Sequence, residues 1–409
     1  MKNFIKKINP HTLLIVVLAF FLGWQLGHKD VFIKWDSYRT SFKIQNAEVP
    51  QNVNVDFKLF WDTWDLLTNR YFDKKAIDPQ KMFYGAISGM VASLGDPYTV
   101  FLPPQQQKSS KEELGGSFEG VGIELGYNKD KRLTVIAPLD GTPAKLAGIK
   151  PLDMIIKIDN KDTTNLSLPD AVNLIRGPKG TKISLAILRD EKSDPKVFTL
   201  TRDTIIVKSV VLSFKSTSSG KSIAVINLSR FGERTNDEWN NAVSQILEKN
   251  PAGLILDLRN NPGGFLDGAV FIGSEFLPSG PVVLQENALG EKFAFNVNRM
   301  GKLFNIPMVV LINKGSASAS EIVAGALQDR KRAILIGEKS FGKGTIQEAQ
   351  DLPNNTGIHI TVAKWLTPNG RWVNEIQGLD PDIKVEVNPA DSEDVTKDPQ
   401  MDKAIEILN

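Results

Sequence analysis

Two short apolar runs constrain this chain more than any other feature. Residues 253–258 read GLILDL and residues 307–312 read PMVVLI. Each has strand length and lacks the polar alternation of a half-exposed strand, so each predicts a strand buried on both faces. Each is followed by a glycine-bearing turn: Asn261-Pro262-Gly263-Gly264 after the first, Gly315-Ser316-Ala317-Ser318 after the second. Around them the pattern alternates. Residues 222–228 read as a strand, 236–247 as a helix, 322–327 as a helix and 333–337 as a strand. That alternation, from about residue 204 to 388, predicts an α/β core.

Upstream, residues 111–203 have a different character, with short strands at 133–136, 154–158, 183–188 and 197–201 and a helix opened by Ser167. The stretches FEGVGIEL (118–125), GTPAKLAGIKPLDMIIKID (141–159) and LIRGPKG (174–180) resemble a PDZ domain of the bacterial, protease-associated kind. Leu152 departs from that pattern, which has glycine in the turn. The resemblance implies that Gly120, Val121, Gly122 and Ile123 receive a peptide C-terminus: backbone N–H groups hold the carboxylate and a strand edge pairs with the peptide. Taken alone, those glycines equally make a β-turn.

Before this domain, residues 56–110 are helical in pattern. Phe57, Phe60, Trp61, Trp64 and Leu67 recur at three- and four-residue spacing, read as core packing, and a second helix spans 79–94. Residues 29–55 read as a polar stalk. Residues 12–26 (TLLIVVLAFFLGWQL), preceded by Lys2, Lys6 and Lys7, resemble an export signal, although the run is shorter than the ~20 residues of a comfortable span. No small-x-small cleavage site follows, so residues 1–28 read as an uncleaved signal anchor, with a cleaved signal peptide as the alternative. The anchor places a single-pass protein in the cell membrane, its large C-terminal part on the extracytoplasmic side. The tail, 389–409, is acidic and loose until a short closing helix from about 401.

Composition removes several chemistries. The chain has no cysteine, which excludes thiolate catalysis, thiolate metal sites and disulfides. Its three histidines are His11, His28 and His359, and the first two lie in or beside the N-terminal segment. Only His359 is left for a soluble site, so a multi-histidine metal centre is nearly ruled out. The net charge of +2 gives no basic field to attract nucleic acid.

Three segments can carry chemistry. Ser318 lies at a strand-to-helix turn, where a helix N-terminus favours a developing oxyanion. Equally, Ser318-Ala319-Ser320-Glu321 is a capping box. Lys343 sits between Gly342 and Gly344: either a turn lysine, or one whose burial keeps it neutral and basic. Gln347, four residues on, either faces that amine or is solvated. Gly263 and Gly264 either make a turn or turn their N–H groups, with that of Ala319, toward an oxyanion.

In this arrangement the chain resembles the carboxyl-terminal processing peptidases, or tail-specific proteases. The resemblance runs from about residue 56 to the end. It rests on LGDPYTVFLPP (94–104), DLRNNPGG (257–264), NKGSASASEI (313–322), FGKGTIQ (341–347) and TVAKWLTPNGR (361–371). It implies a ClpP- or crotonase-like core and a Ser-Lys dyad with an assisting glutamine, carried over as Ser318, Lys343 and Gln347. The spacing of that pattern selects Ser318 over Ser316 and Ser320. It implies acyl transfer without metal or organic cofactor, on exported or misfolded proteins with apolar C-termini, with a homo-oligomer or an adaptor protein as further possible partners. Two alternatives stand beside it: a Ser-His hydrolase using His359, and a non-catalytic PDZ-containing peptide-binding protein.

Overall fold

The computed structural model describes residues 15–20, 31–36, 39–44, 55–189, 194–387 and 397–409. Residues 1–79 form one compact unit and 80–409 another. In the first, residues 15–20 are helical. β1 (Val31–Asp36) and β2 (Arg39–Ile44) pair as an antiparallel hairpin, Val31 opposite Ile44, within the expected polar stalk. α1 spans Lys58–Arg70, and none of its residues is buried. The aromatic stripe is therefore not core, as its spacing had suggested. Phe60, Trp61 and Trp64 instead pack on one another, with ring centroids 5.0–6.2 Å apart. The apolar run 12–26 lies outside the described residues except for 15–20. Among the described residues, no helix is long and apolar enough to cross a membrane.

The second unit opens with α2 (Pro79–Ala92), β3 (Val100–Leu102) and α3 (Pro104–Gly115). β4 (Ser117–Gly120) then leads into the small β-rich domain. Its elements are β5 (Ile123–Tyr127), β6 (Leu133–Pro138), α4 (Pro143–Leu146), β7 (Met154–Ile158), β8 (Lys161–Asp162), α5 (Leu168–Ile175), β9 (Lys182–Leu188) and β10 (Lys196–Thr201). The strands order β10-β9-β7-β6-β5, with β8 beside β7, around a core of its own. Ser167 caps α5 by accepting from Asp170 N–H. Leu152 keeps the turn by adopting the left-handed conformation, φ 69°, that its glycine counterpart takes freely. The chain leaves through β11 (Asp203–Ile206), antiparallel to β4, so entry and exit form one ribbon.

The remaining core is α/β, as expected. β12 (Val210–Ser216), β13 (Ser222–Leu228), α6 (Thr235–Lys249), β14 (Gly253–Asp257), α7 (Leu266–Phe276), β15 (Pro281–Asn287), β16 (Lys292–Asn296), β17 (Met308–Ile312), α8 (Ala319–Asp329), β18 (Ile334–Gly337), β19 (Thr345–Leu352), β20 (Thr356–Leu366) and β21 (Ile383–Lys384) follow. The helix α9 (Pro399–Leu408) closes the chain; the acidic tail before it, 388–396, lies outside the described residues. One sheet orders β12-β13-β14-β17-β18-β21, parallel from β13 onward. Both faces of its central strands are buried. Leu254, Leu256, Val310 and Ile312 pack toward α6, α7 and α8, whereas Ile255, Val309 and Leu311 pack toward Met401 and Ala404 of α9. This two-sided burial is why those strands read as unbroken apolar runs. A second sheet orders β16-β15-β20-β19, with β3 also paired to β20. The three chemistry-bearing segments leave the carboxyl ends of adjacent parallel strands β14, β17 and β18, where open α/β sheets place their ligands.

Candidate active site

Ser318 is fixed by its neighbours. The two flanking serines are fully buried and tied to the turn after β14. Ser316 Oγ donates to Leu258 O (2.8 Å), and Ser320 Oγ to Asn261 O (2.8 Å). Ser318 lines the open cavity instead. It is a non-glycine residue at φ 55°, ψ −116°, a sparsely populated conformation worth about 1–3 kcal/mol of strain when held at a site. Ser318 and Glu321 form the capping box, with Ser318 N–H donating to the Glu321 carboxylate at 2.8 Å. Capping thus coexists with display into the cavity.

The glycine turn lies against this serine. A Cβ built on Gly263 would stand 2.8 Å from Ser318 Cβ and 2.9 Å from Ala319 N, so only glycine permits the approach. Gly263 N–H is occupied: it donates to Asn261 Oδ1 at 2.9 Å. Gly264 N–H and Ala319 N–H make no hydrogen bond among the described residues, and both residues line the cavity. Asn261, which sequence reasoning passed over, organises this corner. It is fully buried, and its Nδ2 donates to Leu228 O at 2.6 Å.

Lys343 reaches the same cavity, of about 260 Å³, together with Gln347, Leu266, Ile322, His359 and Trp365. Its Nζ stands 5.1 Å from the centre of the Tyr98 ring and makes no ion pair or hydrogen bond among the described residues. Burial pushes its pKa below the ordinary lysine value, against the pull of Asp96 and Glu321. Gln347 lies in β19, not in a helix or tight turn. Its Nε2 donates to Thr345 Oγ1 (2.9 Å) and Thr361 Oγ1 (3.0 Å) and does not meet Lys343. Asp96 accepts from Thr99 Oγ1 (2.7 Å) and Tyr98 N–H (3.0 Å); burial pushes its carboxyl up, but Thr361, Thr99 and the Tyr98 N–H hold it below the usual carboxylate range. His359 is pushed down by burial and by Lys343.

Glu321 joins the two halves. Its buried carboxylate accepts from Ser318 N–H on one side. On the other it accepts from Ser340 Oγ (2.6 Å), Gly342 N–H (2.7 Å) and Lys343 N–H (2.9 Å). Burial raises its pKa despite these four donors. The capping-box spacing pointed to Glu321 but only as a cap. Asp96 and Tyr98 sit inside a motif noted for resemblance, with nothing in the sequence to say that they face the lysine.

In the small domain, Gly120, Val121, Gly122 and Ile123 line a groove of about 330 Å³ with Leu125, Val172 and Arg176. Val121 N–H and Gly122 N–H make no hydrogen bond among the described residues.

Comparison with known proteins agrees with this layout. Residues 222–385 match Peptidase family S41, residues 108–188 match the PDZ domain, and residues 13–105 match the family described as Activating protease CtpB N-terminal domain. The carboxyl-terminal-processing protease of Synechocystis sp. is 40% identical over 348 residues, 84% of this chain and 81% of that protein. The chain belongs to peptidase family S41. The carboxy-terminal processing protease CtpA of Bacillus subtilis is 38% identical over 79% of this chain and 68% of its own length. A crystal structure of a protein described as an S41 protease from Bacteroides fragilis superposes with a TM-score of 0.54 at 16% identity, over 84% of this chain and 96% of the other, which speaks to the fold alone. As an S41 member with a PDZ domain, the chain is a serine-type endopeptidase, and a ClpP- or crotonase-like core accords with that family.

Proposed function

We propose that Ser318 is the nucleophile and Lys343 its general base, in an endopeptidase that cuts exported or misfolded proteins near their C-termini. The observation that carries this reading is the convergence of both side chains on one cavity that also holds two unpartnered backbone N–H groups. Neutral Lys343 takes the proton from Ser318 Oγ, which attacks the scissile carbonyl. The N–H groups of Gly264 and Ala319 stabilise the oxyanion. Water then releases the acyl group. Burial of Lys343 favours the unprotonated amine that this step needs. Gln347, held by two threonines, keeps its Oε1 for the amine or for the substrate backbone. The groove at Gly120–Ile123 recruits the free C-terminus, its unused N–H groups facing the carboxylate and its apolar lining the last side chain. The apolar run 12–26 anchors the chain in the cell membrane with its catalytic part outside the cytoplasm. Support for this lies in the basic residues before the run and the lack of a cleavage site after it. A chain truncated before residue 29 is expected to leave the membrane fraction.

The test compares wild type, Ser318→Ala and Lys343→Ala on an unfolded polypeptide with a free or amidated apolar C-terminus. Both variants are expected to lose turnover by at least about 10³-fold, and amidation to slow the wild type. Full activity in Ser318→Ala would sink the assignment. His359 shares the cavity, so His359→Ala belongs in the series. Loss of turnover there with Lys343→Ala intact would transfer the base to histidine.

A further inference from the structure

The TVAKWLTPNGR stretch (361–371) and the residues just after it, Trp372 and Asn374, pack against the loop that carries Lys343. The segment that carries Lys343, residues 338–344, has no regular secondary structure. Its buried peptide groups must therefore find partners outside a helix or ladder. Glu321 takes the N–H groups of Gly342 and Lys343. Ser340 N–H donates to Leu379 O and Phe341 N–H to Ser316 O, both at 3.0 Å, whereas the groups on the carboxyl side of the lysine Cα are met from the end of β20 and the turn after it. The Trp365 indole donates to Lys343 O at 3.0 Å, while Trp365 N–H donates to Gly344 O at 3.0 Å. The Trp372 indole donates to the same Gly344 O at 3.0 Å, and Asn374 Oδ1 accepts from Gly344 N–H. The fit is close: a Cβ on Gly344 would fall 2.7 Å from Trp372 Nε1 and 2.8 Å from Asn374 Oδ1.

We propose that Trp365, Trp372 and Asn374 are positioning residues for Lys343, gripping the peptide groups on the carboxyl side of its Cα so that its side chain projects into the cavity toward Ser318. The inference rests on the Ser318–Lys343 reading above. The grip is itself anchored. Trp365 is wholly buried in the main core. The Trp372 ring lies 5.1 Å from Lys364 Nζ, which pairs with Glu286 of β15 at 2.7 Å. Both indoles therefore tie the base to the second sheet, and Glu321 ties it to the first. The titratable groups that face the amine are Asp96 and Tyr98 from the turn before β3, Glu321 from α8 and His359 from β20. Changing either indole leaves all four in place.

Trp365→Phe and Trp372→Phe delete one N–H each and keep an aromatic ring. They are to be compared with wild type and Lys343→Ala on a fluorogenic peptide with an apolar C-terminus, reading kcat, KM, the pH–rate profile and Tm. The expected result is a kcat lower by about ten- to hundredfold with KM little changed, as for a modest misplacement of a catalytic group. The acid limb is expected at higher pH, because an amine let out toward water regains its ordinary basicity. Wild-type kcat in both variants overturns the proposal, and so does a fall in kcat with an unmoved acid limb. If Trp365→Phe fails to fold, the half-buried Trp372 decides. Turnover surviving in Lys343→Ala sinks the dyad itself, an outcome separate from either.

Discussion

Ser318 stands at the start of a regular helix, where a capping box four residues long sets its backbone. Lys343 stands in an irregular segment whose peptide groups are held by Glu321, Trp365, Trp372 and Asn374, which lie 22, 22, 28 and 30 residues away from the groups they hold. The serine's backbone is set by a local box as well as by the bonds of Ser316 and Ser320 to Leu258 and Asn261, whereas the lysine's segment has long-range partners alone. The difference predicts that the serine half tolerates partial loosening of the molecule better than the lysine half. Glu321 belongs to both halves, and Phe341 N–H, donating to Ser316 O at 3.0 Å, is a second link between them.

Glu321→Gln tests that shared role and carries the largest expected effect on stability. A carboxamide has one acceptor oxygen where the carboxylate has two, so donors on the serine side, the lysine side or both lose a partner. Turnover is expected to fall about 10²-fold and stability by about 3 kcal/mol, the scale of a broken buried charged network. Denaturant unfolding and kcat/KM measured together check this. Stability and turnover both near wild type would mean that the two halves are not joined here.

Lys343→Met sharpens the lysine half with a change of opposite sign. The lysine's pKa is lowered in the folded chain, so protonating it there works against folding. Its contribution is most unfavourable below the folded pKa, improves as pH rises through that value, and is complete above the unfolded value of about 10.4. Methionine removes the buried charge. The inactive variant is therefore expected to melt ~2–4 °C higher at neutral pH, an advantage that shrinks in alkaline buffer. A Tm at or below wild type at neutral pH would place the amine in water.

Ser320→Ala has the smallest expected effect and isolates the serine half. It removes one buried hydroxyl bond to Asn261 O and costs about 1 kcal/mol. Turnover is expected to stay within about threefold of wild type, because the capping box still sets Ser318. A loss as large as that of Ser318→Ala would show that the helix start does not hold its own shape.

The same contrast explains what was legible in the sequence. The strands β14 and β17 were readable because burial on both faces leaves unbroken apolar runs, and α5 because Ser167 announces its cap. Ser318 and Glu321 were readable as a local spacing. The partners of Lys343 were not, since no local pattern tells an indole N–H which carbonyl it will meet. Gln347, left open as facing the amine or solvated, lines the cavity with Lys343 from β19, and its four-residue spacing from the lysine does not announce the pairing of β19 with β20 that puts it there. The aromatic stripe of α1 failed because periodicity marks an apolar face without saying what covers it.

The cover over Lys343 also fixes an order of events. Thr361 N–H donates to Thr99 Oγ1 across 262 residues of chain, and β3, just after Tyr98, pairs with β20 from Leu102 opposite Gly357. Contacts of such sequence separation form late, because loop-closure entropy opposes them until much else is in place. Before then the amine is hydrated and protonated, and the serine has no base. We expect peptidase activity in a refolding chain to lag behind tryptophan fluorescence; simultaneous recovery would contradict this order. On the Ser318–Lys343 reading, this serine-type peptidase thus passes through its own unfolded stage disarmed.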